Sequence, residues 1–211
     1  MRPVGKKYHL GISGGASRSV GSTAGGYALG DSLQWLGDQP ASSSDYYGSP
    51  QTIAVMAKAA LEDQEHFETR QLCEAVCEGL DSKDYTSEYL AMYHFVLMHS
   101  RYMRDPRRTE LVRAPYIIAR QMLAGHKPSI DCDDCATLLA ACIIAMGGTA
   151  EFITVAFANQ FYGTQRQYSH VLVAATEPRS RVRIVLDPVA AEKTSSMLRR
   201  VKAAKIYPVS A

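Results

Sequence analysis

The spacing of apolar and polar positions changes period about two thirds of the way along the chain. Residues 50–62, "PQTIAVMAKAALE", carry apolar side chains at helical spacing; Ser49 is placed to cap this helix and Pro50 suits its first turn. A second helix is predicted over 64–79, where Phe67, Leu72, Cys73, Val76 and Leu80 recur at about one turn. The segment "TSEYLAMYHFVLMHSRYM" predicts a third, capped by Thr86, and Pro115 opens a fourth that runs to about Leu123. The run "CATLLAACIIAMGG" is apolar without interruption, which predicts a helix buried on every side and stopped by its glycines. Beyond it, "AEFITVAFA", "SHVLVAAT" and "RVRIVLDPVA" read as strands, with a short one at "KIYPV". Helices first and strands afterwards predict an α+β domain, with antiparallel strands packed on the central helix.

Composition adds a domain plan. The 211 residues, 46% hydrophobic and 21% charged, suffice for one substantial core. Residues 1–49 hold the glycine- and serine-rich stretches "GISGGASRSVGSTAGGYALG" and "QPASSSDYYGSP", which cost the most entropy to order. They are expected to form an extended arm, with Trp35 as its anchor. Residues 50–211 are then the folded domain, helical over 50–146 and mainly strand over 149–211.

The net charge of +2 hides an asymmetry. Residues 1–100 carry 7 Lys/Arg against 12 Asp/Glu, and residues 101–211 carry 16 against 9, which suits an electrostatic contact with a partner or a second copy. Arg101, Arg104, Arg107, Arg108 and Arg113 concentrate the positive charge before the fourth helix, and "TSSMLRRVKAAK" reads as a short basic helix. Neither comes with a nucleic-acid motif or a stacking pattern, so no specific nucleic-acid ligand is expected. The first residues, "MRPVGKKYHLGISGGASRSVG", hold no long apolar core of a signal sequence, and no run approaches the roughly 18 apolar residues of a membrane span, so no membrane insertion is expected. The five cysteines fall into a helical set and a central cluster, which fits a reducing compartment better than a disulfide framework. Cys73 and Cys77 lie one turn apart and read as a buried stripe, while His94 and His99 sit on different helix faces and make a poor metal pair.

The chemistry concentrates in "IDCDDC", residues 130–135. Cys132 stands at the start of the buried helix, where unsatisfied backbone N–H groups favour a thiolate; the neighbouring aspartates oppose it. A nucleophilic thiol needs a base, and His170 at the beginning of a strand is the best placed histidine. Asp187, at the end of "RIVLDP", is able to orient the imidazole from an adjacent strand. Asp131, Asp133 and Asp134 are candidates for helix capping, for pairing with arginine, or for binding a basic substrate. Cys135, one turn beyond Cys132, and Ser169, beside His170, are candidates for supporting positions, and Cys142 for the core. Two rivals use the same letters. The CxxC spacing of Cys132 and Cys135 suits a redox pair but lacks a clear preceding strand and a later proline loop. A zinc site using these cysteines, His170 and a carboxylate lacks a second clear ligand pair.

From about residue 90 to 190 the chain resembles the transglutaminase-like superfamily of papain-like cysteine enzymes, in particular small bacterial and bacteriophage-encoded members. The resemblance rests on "DCDDCATLLAACIIAMG", "SHVLV" and "VLDP", in that order. It implies a cysteine-bearing helix packed on an antiparallel sheet, with Cys132 as nucleophile, His170 as base and Asp187 as orienting group. It also implies amide hydrolysis or acyl transfer through a thioester on a peptide or protein, without a cofactor or metal. An alternative implied by the phage relatives is a virion structural or assembly protein that uses such a domain for interactions. The expected partners are then phage structural proteins or copies of the chain. The expected location is the host cytoplasm during production, with incorporation into a virion.

Overall fold

The computed structural model describes residues 26–28, 50–104, 112–157, 161–162, 165–166, 168–189 and 199–210. The readings made for Trp35, Ser49, Arg107, Arg108 and all of the arm except 26–28 lie outside these residues. In chain order the elements are β1 (Gly26–Ala28), α1 (Pro50–Asp63), α2 (Phe67–Cys77), α3 (Tyr85–His99), β2 (Arg101–Tyr102), α4 (Pro115–Leu123), β3 (Ser129–Ile130) and α5 (Cys132–Ala145). There follow β4 (Thr149–Ala156), β5 (Phe161–Tyr162), β6 (Gln165–Arg166), β7 (His170–Thr176), β8 (Arg183–Leu186) and β9 (Ala203–Pro208).

Five strands form one antiparallel sheet in the order β1-β8-β7-β4-β9. Side chains alternate across it, as the pleat requires. Ala150, Phe152, Val171, Val173, Ala175, Ile184 and Leu186 face the helices, while Ile153, Val155, Leu172, Ala174 and Val185 form a second buried cluster on the far face. Helix α5 lies on the sheet at β7 and β4, and α1–α4 pack around it. Every residue from Cys132 to Ile143 is buried, which is why that stretch has no polar face. Full burial of Leu138, Leu139 and Ile143 contributes about 1.5–3 kcal/mol each. The architecture is therefore α+β, with N-terminal helices packed against a central helix and an antiparallel sheet.

The ends of α5 follow from local sequence. Asp131, in extended conformation, caps the start by accepting from the Asp134 N–H. At the other end the N–H of Gly147 bonds to Ile144 O at 2.9 Å and that of Gly148 to Ile143 O at 3.0 Å, with Gly147 at φ +93°. These two bonds satisfy carbonyls that the helix leaves open, and the positive φ calls for glycine.

Three expectations need correction. Helix α3 is capped by Asp84, whose carboxylate accepts from Ser87 N–H and Oγ, and Thr86 instead donates its hydroxyl to Glu177. The same helix does not continue through Met103: Ser100 turns extended (φ −119°, ψ 168°) and the chain enters β2, which pairs in parallel with β3. The predicted basic helix at 194–205 also fails at its C-terminal end, where Ala203–Lys205 belong to β9 and bond to β4. An open edge on β4 outweighs the helical preference of alanine and lysine there.

Candidate active site

The sheet joins two of the candidate residues. In the β7–β8 register Val173 opposes Leu186, so His170 and Asp187 stand on a diagonal just past the last ladder pairs, on the same side of the pleat. Their side chains meet, with His170 Nε2 2.9 Å from Asp187 Oδ1. Both are withdrawn from solvent, at 12% and 3% side-chain exposure, so the interaction is poorly screened. Asp187 is held locally as well, because Oδ1 accepts the Val189 N–H at 3.0 Å. Pro188, with no N–H of its own, ends the strand between them. On the other side, the Phe157 ring stacks on the imidazole with centroids 6.1 Å apart, and the Arg200 guanidinium stands over Phe157.

Cys132 arrives from the opposite direction, at the first turn of α5. The backbone N–H of Val171, the residue after His170, and that of Cys132 itself lie near its sulfur and favour the charged form. The sulfur thus approaches β7 at Val171, the residue next to the histidine. Among the described residues no direct hydrogen bond joins Cys132 to His170. Since Asp187 occupies Nε2, Nδ1 is the imidazole nitrogen left for a thiol proton.

The contest between helix start and aspartates is decided by burial. Cys132 is 3% exposed, and its thiol is held well above the ordinary thiol range, first by desolvation and then by the charges of Asp133 and Asp131. The Val171 and Cys132 N–H groups pull weakly the other way. At neutral pH the resting sulfur is a thiol.

The three aspartates have separate surroundings. Asp131 is the helix cap. Asp134, 1% exposed, accepts the Arg113 N–H at 2.7 Å and pairs with Arg113 Nε at 3.1 Å, and Arg113 also donates to Ser129 O. This arginine fastens the start of α5 to β3. Asp133 is buried in the first turn, where its carbonyl accepts the Thr137 hydroxyl at 2.6 Å. Cys135 is buried with its thiol on Ser100. Ser169 has an exposed side chain and is held through its N–H on Val155 O. All five cysteines are free thiols, and among the described residues no three His, Cys, Asp or Glu side chains converge as a metal-binding group.

Sequence reasoning missed Tyr102. Strand β2 lays it beside Ile130, two residues before Cys132, and its phenol lies in the field of Cys132 and Asp131 while accepting a hydrogen bond from Arg104. Two-residue strands have no period to detect, and the one available signal was the serine that breaks α3. A cavity of about 410 Å³ lies elsewhere, lined by Arg70, Cys73, Glu74, Cys77, Glu88, Ala145 and Met146. It sits at the far end of α5, about 20 Å from Cys132 by helix rise. Its Cys77 thiol is pushed up to about 12 by burial, which disfavours the nucleophilic thiolate.

Among solved structures, a protein of Parabacteroides distasonis ATCC 8503, provisionally assigned as a protease, superposes with a TM-score of 0.52 at 14% identity. The match covers 76% of this chain but 30% of that one, so this chain spans less than a third of its length. A second match, to a chain of the Rad4-Rad23 complex bound to a 6-4 photoproduct UV lesion, has a TM-score of 0.37 at 13% identity and covers 74% and 38% of the two chains. No family model matches the chain, and no curated protein sequence does. The first likeness shows a shared fold.

Proposed function

We propose that the chain is a transglutaminase-like, papain-like cysteine enzyme that cleaves or transfers an amide acyl group through a thioester, on a peptide or protein. One observation carries this reading: the His170–Asp187 pair, largely withdrawn from solvent at the ends of adjacent strands, stands one residue from the backbone N–H that lies near the sulfur of Cys132. The fold shared with the provisionally assigned protease supports it.

In the proposed reaction the Cys132 sulfur attacks the amide carbonyl while His170 Nδ1 takes the thiol proton. Asp187 orients the ring through Nε2 and stabilises the imidazolium without accepting its proton. The carbonyl oxygen gains the displaced electron pair, with the Cys132 backbone N–H as one donor to it. Collapse breaks the C–N bond, His170 protonates the leaving amine, and a thioester remains. Water or a second amine then attacks as His170 removes its proton, and the thiol is regenerated. A neutral resting thiol suits this cycle, because proton transfer accompanies attack instead of preceding it. The hydrogen bond from sulfur to imidazole forms as substrate closes the site, since such contacts are commonly loose in the free enzyme.

The test is intact-mass analysis with a peptide aldehyde or vinyl sulfone, electrophiles that imitate the amide carbonyl. The expected result is one adduct on Cys132, formed at least tenfold more slowly in His170→Ala. Absence of selective adduct formation at Cys132 sinks the enzymatic reading and leaves an interaction domain in its place.

A further inference from the structure

Strand β2 has one edge occupied and one edge open. The N–H of Arg101 bonds to Pro128 O at 2.9 Å and that of Met103 to Ile130 O at 3.0 Å, so β3 uses the groups on either side of Tyr102. In a parallel ladder the residue between them turns its own N–H and C=O the other way. Among the described residues, no hydrogen bond engages that outward pair. The edge is at the surface: Tyr102 is 49% and Met103 55% exposed, and Arg101 and Arg104 are exposed as well. An open edge bearing apolar side chains is a template for pairing with another extended chain.

We propose that this outer edge of β2 is the docking strand for an extended, acid-bearing peptide, which pairs with the Tyr102 N–H and C=O and runs past Cys132. The position rests on the thiol chemistry proposed above; the pairing does not. Tyr102 and Arg104 point to the same side, which is the side of Cys132 and Asp131, and Arg101 and Met103 point to the other. A peptide on this edge meets an aromatic ring and a guanidinium on its active-site side, and a thioether and a second guanidinium on its outer side. Apolar residues alternating with carboxylates are the complement of such a surface. A nucleic acid would use the arginines and leave the outward N–H and C=O without the repeating donor and acceptor they match; a peptide backbone uses both.

The experiment uses the full chain carrying Cys132→Ala, so that no probe is turned over, and two fluorescein-labelled decapeptides of alternating Glu/Leu and Lys/Leu read by anisotropy. The Glu/Leu peptide is expected to bind more tightly, and Arg104→Glu is expected to reverse the preference. Tyr102→Pro removes the outward N–H without touching a ladder bond, and proline is tolerated at such an edge. It is expected to bind at least tenfold more weakly than Tyr102→Ala, which loses the ring alone. Should the proline variant fail to fold, a Glu/Leu probe with single backbone esters reports the same bonds on the parent protein, with a tenfold loss expected at one or two positions. Equal binding by the proline and alanine variants, ester insensitivity, no measurable binding of either peptide, or tighter binding of a single-stranded oligonucleotide each overturns the proposal. Iodoacetamide labelling of Cys132 in the unsubstituted protein is scored separately: its failure counts against the thiol chemistry and leaves the anisotropy result standing.

Discussion

At the scale of single residues, the charge state of Cys132 is set by opposing effects of unequal size. The helix start and two N–H groups favour the thiolate, but burial and the charges of Asp133 and Asp131 outweigh them. A measurable consequence follows for His170→Ala, in which no base assists alkylation. Iodoacetamide labelling of Cys132 should then track the thiolate fraction alone and rise about tenfold per pH unit from 7 to 9 without levelling off. Levelling off below about pH 9, as an ordinary thiol shows, would mean that the thiol is not raised. Asp134 sits close by in sequence but acts elsewhere, because Arg113 neutralises it and its field falls on Cys135. The three aspartates were legible as a helix-start signature; which of them faces the sulfur was not, because that depends on the turn each occupies.

At the scale of elements, the long helices and strands follow from periodicity, and their ends follow from caps. Asp63, at the last residue of α1, accepts the Tyr116 N–H at 3.1 Å and so supplies the cap that Ala114 cannot give α4. The stop after α5 is stricter. A methyl group on Gly148 would overlap the Tyr89 hydroxyl, come within 2.8 Å of its ring Cζ and press on Ile143. Gly148→Ala should cost about 1–3 kcal/mol through overpacking, read as a lower urea midpoint at unchanged m-value. Tyr89→Phe in the same chain should recover part of the loss, since it removes the clashing oxygen; additive losses would count against this account. The short strands β2 and β3 had no comparable signal. Each is two residues long, their parallel partners lie 28 positions apart in sequence, and their pairing is made by backbone groups common to every residue.

At the scale of the whole molecule, the core carries an unusual load of protonated thiols. Cys132, Cys135 and Cys142 are all held above the ordinary range, the first two chiefly by burial and Cys142 chiefly by its hydrogen bond with Cys73. Below about pH 8.5, where free thiols begin to titrate, folded and unfolded chains hold the same protons and this contribution is fully present. Above it the unfolded chain releases protons that the folded chain keeps, so stability falls by about 1.4 kcal/mol per pH unit for each such thiol. Urea unfolding between pH 8 and 10 should show this decline, and Cys135→Ala should make it shallower by about one thiol's share. A flat profile would remove the argument. The sheet also draws on distant sequence: β1, from the glycine-rich N-terminal region, lies along β8 in antiparallel register. Glycine-rich composition gave no hint of it, since edge pairing needs main-chain groups and no particular side chain.

What the sequence alone determined is the part of the protein written in local pattern. A change from helical to alternating period predicts the α+β order, an apolar run without a polar face predicts the buried α5, and the order of "DCDDC", "SHV" and "LDP" marks the residues around which the site is proposed. Only the tertiary structure decided that His170 and Asp187 share a diagonal of the sheet, that Arg113 secures Asp134, that the Cys132 sulfur meets β7 at Val171, and that β2 leaves an edge open beside it. The physical reason is range. Side-chain period and capping act within a few residues of the chain, whereas desolvation, ion pairing and strand register depend on distances between segments that only the fold brings together.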